Sequence, residues 1–306
     1  MFIVDLFGSP RLAVKPFAVL CFARLACEEL GLHTTMMKKR NVLLHYHIFK
    51  NAGTTFERVL DENYGDRHMT FDGPFSFSLI NQDQAAAVIE HHSSHIAFSS
   101  HQIHLPVPSS LSFRAIPVVF VRHPLLRIRS VYLFSQRDQM KNSSDTTCEP
   151  LAGFEGWFAS MLAGDKNRLH LSNMQTGALS RAYGSPPVRR GENSRVCFDL
   201  QAAINNLLLV PCLGRTEHFD ADVASFTTTL SRLDIAFSYR PGAAENVSSA
   251  DHKEPIERQL APFRDRVKPE TWELLNWMNH QDLALYDIVQ EMMEQRLTEG
   301  VPIHFA

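Results

Sequence analysis

Apolar positions along this chain follow two rhythms. Continuous apolar runs at residues 117–121 and 207–210, a shorter one at 96–98, and the apolar-rich stretch at 42–48, interrupted only by His45 and His47, read as strands, those at 117–121 and 207–210 of the kind covered on both faces. Between them the apolar residues fall at helical spacing. This predicts helices over 54–63 with Thr54 as N-cap, 82–92, and 125–137 with Pro124 in the first turn, and another opening near Asp220. Two more helices are expected near the end, at 269–278 and 281–296, the latter with Leu283, Tyr286, Val289 and Met293 in register. Strands alternating with helices predict an α/β fold with a central, mainly parallel sheet and helices on both sides. The polar stretches at 141–150 and 184–192 read as surface loops. Residues 1–35 lack a clean amphipathic period and run into Met36-Met37-Lys38-Lys39-Arg40.

Composition narrows the class. With 306 residues, 44% of them hydrophobic and 21% charged, the chain suits one large globular domain or two small ones and argues against wholesale disorder. Its five cysteines (Cys21, Cys27, Cys148, Cys197, Cys212) form no CxxC pair, so neither a zinc ribbon nor a disulfide scaffold is indicated. The apolar run at 16–23, closed in by Lys15 and Arg24, is much shorter than the roughly 20 residues that span a bilayer.

Charge adds a second clue. Residues 1–216 carry 22 basic and 17 acidic side chains, and residues 217–306 carry 8 and 16. The basic excess is sharpest from Arg114 to Lys141, where six cations face only Asp138. Such a stretch is either a solvated helix face or an anion site, and the local sequence separates the two. Nucleic acid is not the expected partner, because no repeated aromatic platform accompanies the cations and the net charge is −3.

Two strand ends carry the candidate chemistry. The first strand runs into Ile48-Phe49-Lys50-Asn51-Ala52-Gly53-Thr54-Thr55-Phe56. A helix start with free backbone N–H groups attracts an anion. The small Ala52 and Gly53 let it approach, Thr54 and Thr55 offer hydroxyls, and Lys50 adds a point charge. This is not the nucleotide loop GxxxxGK[ST], since the lysine precedes the glycine and Gly-Lys occurs nowhere in the chain. The second strand ends in Arg122-His123-Pro124-Leu125-Leu126-Arg127-Ile128-Arg129-Ser130. Arg122 then emerges at the carboxyl end of a buried strand, where open parallel sheets bind ligands. An arginine fork with the Ser130 hydroxyl suits a phosphate monoester.

In order and separation the two segments resemble the sulfotransferases that use 3′-phosphoadenosine 5′-phosphosulfate (PAPS), most closely the carbohydrate branch with the uronyl 2-O-sulfotransferases. That branch carries [V/I]-x-K-[T/N]-[A/G]-[G/S]-T-[S/T]-F and R-D-P-x-x-R-x-x-S; His123 departs from the usual Asp. Gly214 to Phe219, Asn173-Met174-Gln175-Thr176, Asn246-Val247-Ser248 and the stretch from Asp282 to Asp287 resemble further motifs of the family, so the likeness covers most of 41–296. It implies a P-loop-NTPase-like three-layer fold, with 1–35 as an N-terminal extension and 36–306 as a single sulfotransferase domain.

The resemblance also implies roles. Lys50, Asn51, Ala52, Gly53, Thr54 and Thr55 would hold the 5′ phosphosulfate of PAPS, with Lys50 stabilising the departing oxygen. Arg122 and Ser130 would hold the 3′ phosphate, and no metal is required. His101, in Ser99-Ser100-His101-Gln102-Ile103, resembles the histidine of the family's x-G-H-x-x motif that deprotonates the acceptor hydroxyl, with Ser100 in place of Gly. Glu90 is the rival base. With the neighbouring His91, His92, His95 and His104, His101 makes two HxxH spacings, His92/His95 and His101/His104, but no third ligand at metal spacing. The acceptor is expected to be a carbohydrate, and Arg181, Arg189, Arg190 and Arg195 would suit an acidic one. Without the membrane anchor of Golgi relatives, a cytoplasmic enzyme of bacterial type is expected, with membrane association left open. A small-molecule kinase of similar architecture, marked by Mg·ATP dependence, and a non-catalytic nucleotide-binding protein remain the alternatives.

Overall fold

The computed structural model of the protein describes residues 39–75, 78–141, 153–164, 167–181, 197–242 and 254–299. The expected extension over 1–35, nearly all of the two polar loops at 141–150 and 184–192, Arg189, Arg190, Arg195 and the 246–248 segment lie outside them.

Among the described residues, five strands form one parallel sheet: β1 (Arg40–Tyr46), β2 (His68–Thr70), β3 (Ala97–Ser100), β4 (Phe113–Val121) and β5 (Cys212–Arg215), in the order β2-β3-β1-β4-β5. This is the α/β architecture expected from the alternating rhythms, with helices on both faces. The connection leaving β1 runs toward one edge of the sheet, and the one leaving β4 runs toward the other. The carboxyl ends of β1 and β4 therefore flank a topological switch point, where parallel sheets open a crevice.

Alternation along β1 assigns the two faces. Val42, Leu44 and Tyr46 pack with Ile89 of α2 (Gln82–His91), Leu207 of α6 (Leu200–Leu208), and Leu285 and Val289 of α10 (His280–Glu299). Leu43 points the other way, among Phe56 and Leu60 of α1 (Gly53–Tyr64) and Val223 and Phe226 of α7 (Phe219–Ser231). With a side-chain period of two, His45 joins Leu43 on the α1 face, where its ring meets Phe56 edge-on at 5.0 Å. Beside the sheet, a helical layer packs Leu125, Ile128 and Tyr132 of α3 (Pro124–Lys141) with Phe154 of α4 (Phe154–Ala163), Phe263 of α8 (Ile256–Arg264) and Leu275 of α9 (Pro269–Met278).

Two expectations need correction. Residues 207–210 are not a strand: Leu207 and Leu208 close α6, which starts at its Asp199 cap, and the strand begins only at Cys212. The apolar run straddles a helix end. Ala203 and Leu207, four apart, are buried, while Leu208 and Leu209 are more than half exposed. Nor does Thr54 cap α1. That helix begins one residue earlier, with Ala52 at the N-cap in the left-handed region (φ 61°, ψ 15°) and no side-chain cap.

Candidate active site

Successive strands of the sheet end in chemistry. β3 leads into His101, β1 into the Lys50 loop, β4 into Arg122 and β5 into Glu217. Register aligns the first three, since Tyr46 lies opposite both Ser100 and Val119.

The loop after β1 is held in an uncommon shape. Lys50 (φ 67°) and Ala52 (φ 61°) both lie in the left-handed region, each at a cost of order 1–3 kcal/mol that the surroundings must offset. Asn51 supplies part of that bracing. Expected among the donor-binding residues, it is instead turned inward and buried. Its amide donates to Phe120 O (2.8 Å) and Gln175 Oε1 (2.7 Å), and its backbone N–H donates to Ile48 O. Phe56 N–H closes the first helical hydrogen bond of α1, onto Ala52 O. The amides of Gly53, Thr54 and Thr55 precede it and form the helix's positive end. Thr54 is exposed and Thr55 half-buried. The Lys50 ammonium lies 4.6 Å from the centre of the Phe134 ring. Burial first, then Arg137 and Arg122, brings its pKa down to about 8.

Arg122 joins this loop directly, because its Nη1 donates to Lys50 O at 2.9 Å. Behind it stands Glu217, whose Oε1 lies 3.8 Å from Arg122 Nε and accepts from His123 N–H, and whose Oε2 accepts from Tyr286 OH at 3.2 Å. Burial raises the Glu217 carboxyl pKa and Arg122 pulls it back; burial lowers that of Arg122 and Glu217 opposes this. His123, the departure from the family's Asp, is buried and packs edge-on to Tyr286. Burial brings it down to about 4, so it is a neutral ring at this position. Ser130 is buried in the second turn of α3. Arg127, expected only as a motif position, is fully buried and donates to His170 O.

The remaining motif segments prove to be each other's supports. Asp282, at the start of α10, accepts from the backbone N–H groups of Gln175 and Thr176 and from the Thr176 hydroxyl. These sit at the start of α5 (Met174–Leu179). In return Asn173 Oδ1 accepts from the N–H groups of Gln281 and Asp282. Two helix starts thus cap one another. Gln175 carries the support to the site, because its Oε1 accepts from Asn51 Nδ2 and Arg122 N–H while its Nε2 donates to Arg122 O. Asp282→Ala leaves three buried donors unmet and is expected to lower stability by about 3 kcal/mol. Chemical denaturation measures this, and a loss below about 1 kcal/mol would show that water replaces the carboxylate.

His101 stands on the opposite side of the Lys50 loop from Arg122. The residue is exposed, yet one ring face is covered by the His47 ring (centroids 3.7 Å apart, planes tilted 34°). Its Nδ1 lies 3.0 Å from His47 O. A carbonyl only accepts, so Nδ1 carries the proton and Nε2 is the basic nitrogen. Its backbone N–H donates to Asp72 Oδ1, which also accepts from Ser100 Oγ, the hydroxyl standing where the family has Gly. Burial, then His47, lowers the His101 pKa, while Asp72 and Glu57 raise it. Glu90 is no rival. It accepts from Ser110 and Ser112 just before β4, at the amino end of the sheet, away from the crevice.

The HxxH pairs do not assemble into a ligand set. His92 and His95 lie between α2 and β3, at the other end of that strand from His101 and His104. Among the described residues, His45, His47 and Glu57 do bring one donor atom each within 4.8 Å of the other two. Their contacts already form a hydrogen-bond network: His45 Nδ1 meets Ser99 Oγ and His47 Nδ1 meets Glu57 Oε1. Reading the sequence passed over His47, Glu57 and Asp72. The H-x-H alternation at 45–47 was the one visible signal, since it puts both rings on one face of a strand.

A family model described as "Sulfotransferase family" matches residues 33–288. An uncharacterized protein of Archaeoglobus fulgidus is 26% identical over 259 residues, covering 84% of this chain and 98% of its own. Among the described residues no helix is long and apolar enough to cross a membrane.

Proposed function

Because the chain belongs to the sulfotransferase family, we propose that it transfers the sulfuryl group of PAPS to a hydroxyl, most readily one on a carbohydrate, with His101 as general base. One observation carries this reading. Two cationic sites, the Lys50 loop and Arg122, stand at neighbouring strand ends and are joined by the Arg122–Lys50 O hydrogen bond. Two such sites suit a nucleotide with two separate anionic ends, and a 3′ phosphate is what distinguishes PAPS from ATP.

In this reading His101 Nε2 takes the proton of the acceptor hydroxyl as its oxygen bonds to sulfur. The bond from sulfur to the bridging oxygen breaks, and that oxygen leaves with the electron pair on 3′,5′-adenosine bisphosphate. Lys50 faces the charge growing on the leaving oxygen, and the amides of Gly53, Thr54 and Thr55 hold the phosphosulfate. Arg122, with Ser130 on the following helix, holds the 3′ phosphate. Charge spreads over the equatorial oxygens as in phosphoryl transfer, so positioning and a fixed positive field account for most of the rate. Residues 36–306 act as the single catalytic domain.

Calorimetry with 3′,5′-adenosine bisphosphate and with 5′-AMP, without added metal, tests the donor. The expected result is micromolar binding that depends on the 3′ phosphate and falls to the 5′-AMP level in Arg122→Ala. Equal or absent binding of the two nucleotides, or turnover that requires Mg·ATP, would overturn the reading in favour of a kinase or a binding protein.

A further inference from the structure

Behind His101 lies a second dyad that the transfer chemistry above leaves unused. His47 touches His101 twice, accepting from its Nδ1–H through the backbone carbonyl and covering its ring face. The His47 ring cannot swing, because Nδ1 is held by Glu57 Oε1 at 2.8 Å and its Cδ2–Nε2 edge lies against Gly53. Glu57 sits one helical turn into α1, the helix whose N-terminus forms the anion loop. The side chains of His47 and Glu57 are 5% and 20% exposed, so the Glu57 charge is poorly screened on this side.

We infer that Glu57 and His47 form a positioning pair for His101. They fix its ring orientation and favour the imidazolium that forms when it takes the acceptor proton. The inference rests on His101 as the base. A histidine that accepts a proton where its ring is partly desolvated becomes a partly desolvated cation, and nearby carboxylates lower the cost of that charge. The titratable groups gathered around His101 are His45 of β1, His47 just after it, His68 of β2, Asp72 after β2, and Glu57 of α1. Burial holds His45 well below the ordinary imidazole range, so it adds no charge near neutrality. Of the two carboxylates, Asp72 binds the backbone of His101, whereas Glu57 acts through the ring of His47. The same loop therefore ties the base to the anion site. His47 leads into the loop on one strand, and Glu57 descends from the helix that the loop opens.

Glu57→Gln keeps a hydrogen-bond acceptor for His47 Nδ1–H and removes only the charge. The expected result in the full-length chain is unchanged binding of 3′,5′-adenosine bisphosphate and kcat/KM lower by about tenfold. Removing a carboxylate that favours the charged ring must lower the His101 pKa. Its proton-NMR titration in the nucleotide-free protein, and the acid limb of kcat/KM, should both move to lower pH. Glu57→Asp should recover part of the shift and part of the rate, and it serves as the second variant if Glu57→Gln does not fold. A His101 titration and acid limb that stay in place in either variant would overturn the inference, whatever happens to the rate. Wild-type turnover in His101→Ala would instead overturn the base assignment, and the NMR titration reads the coupling of Glu57 to His101 separately.

Discussion

Lys50→Ala is expected to lower the turnover of sulfuryl transfer by about 10²–10³ while leaving the protein folded and 3′,5′-adenosine bisphosphate bound. The loss falls on turnover because the ammonium meets charge that appears only as the bridging oxygen departs. Nucleotide binding keeps Arg122 and the α1 amides. The pH profile gives a second readout. Lys50 titrates at about 8 in the free protein, so its charge is present below that value and disappears as pH rises through it. His101 must be unprotonated to accept a proton, so kcat/KM should rise on the acid side and fall on the alkaline side near 8. Bound phosphosulfate favours the ammonium, which places the alkaline limb of kcat higher than that of kcat/KM. Lys50→Arg, a guanidinium charged throughout this range, should lose the alkaline limb and still turn over more slowly than wild type. Turnover of Lys50→Ala within a few-fold of wild type would remove Lys50 from the chemistry.

Gly53→Ala is expected to be nearly as damaging although it adds one methyl group. A Cβ at Gly53 would lie 1.9 Å from His47 Cδ2 and 2.1 Å from His47 Nε2. The ring has nowhere to go, with Glu57 on Nδ1 and His101 against its face. The loop must therefore shift, which moves the α1 amides away from the anion. Displacements of about 1 Å in such a site cost on the order of 10² in rate. Overpacking adds a stability loss of roughly 1–3 kcal/mol. Both kcat/KM and nucleotide affinity should fall. Adding His47→Ala to the Gly53→Ala background removes the obstructing ring, so affinity should return while turnover stays low. A Gly53→Ala protein that binds nucleotide like wild type would show that the loop yields without leaving its working shape.

Much of this arrangement was legible in the residues. A continuous apolar run marked β4 because a strand covered on both faces has no polar side to show, an apolar-rich stretch marked β1, and the cations after them marked the two candidate anion sites. The run at 207–210 misled, since four apolar residues in a row do not distinguish the end of a buried helix from a strand. Ala52 and Lys50 gave no sign of left-handed backbone, a conformation that neither residue favours and that the Asn51 hydrogen bonds support from inside. The likeness of the Asn173–Thr176 and Asp282–Asp287 segments to family motifs was visible, but not that each caps the other's helix.

The sequence by itself determined the α/β class and marked two candidate anion sites at strand ends, while His101 as the candidate base came from its resemblance to a family motif. The class and the two candidate sites are local patterns of apolar period, small residues and charge. Only the tertiary structure decided that Gln175 bridges Asn51 and Arg122, that Glu217 stands behind Arg122, and that Glu57 reaches His101 through His47. These contacts depend on strand order and on which helix covers which face. A period of two says that His45 and His47 share a side of β1, but it does not say that α1 returns across that side to bring Glu57 to them.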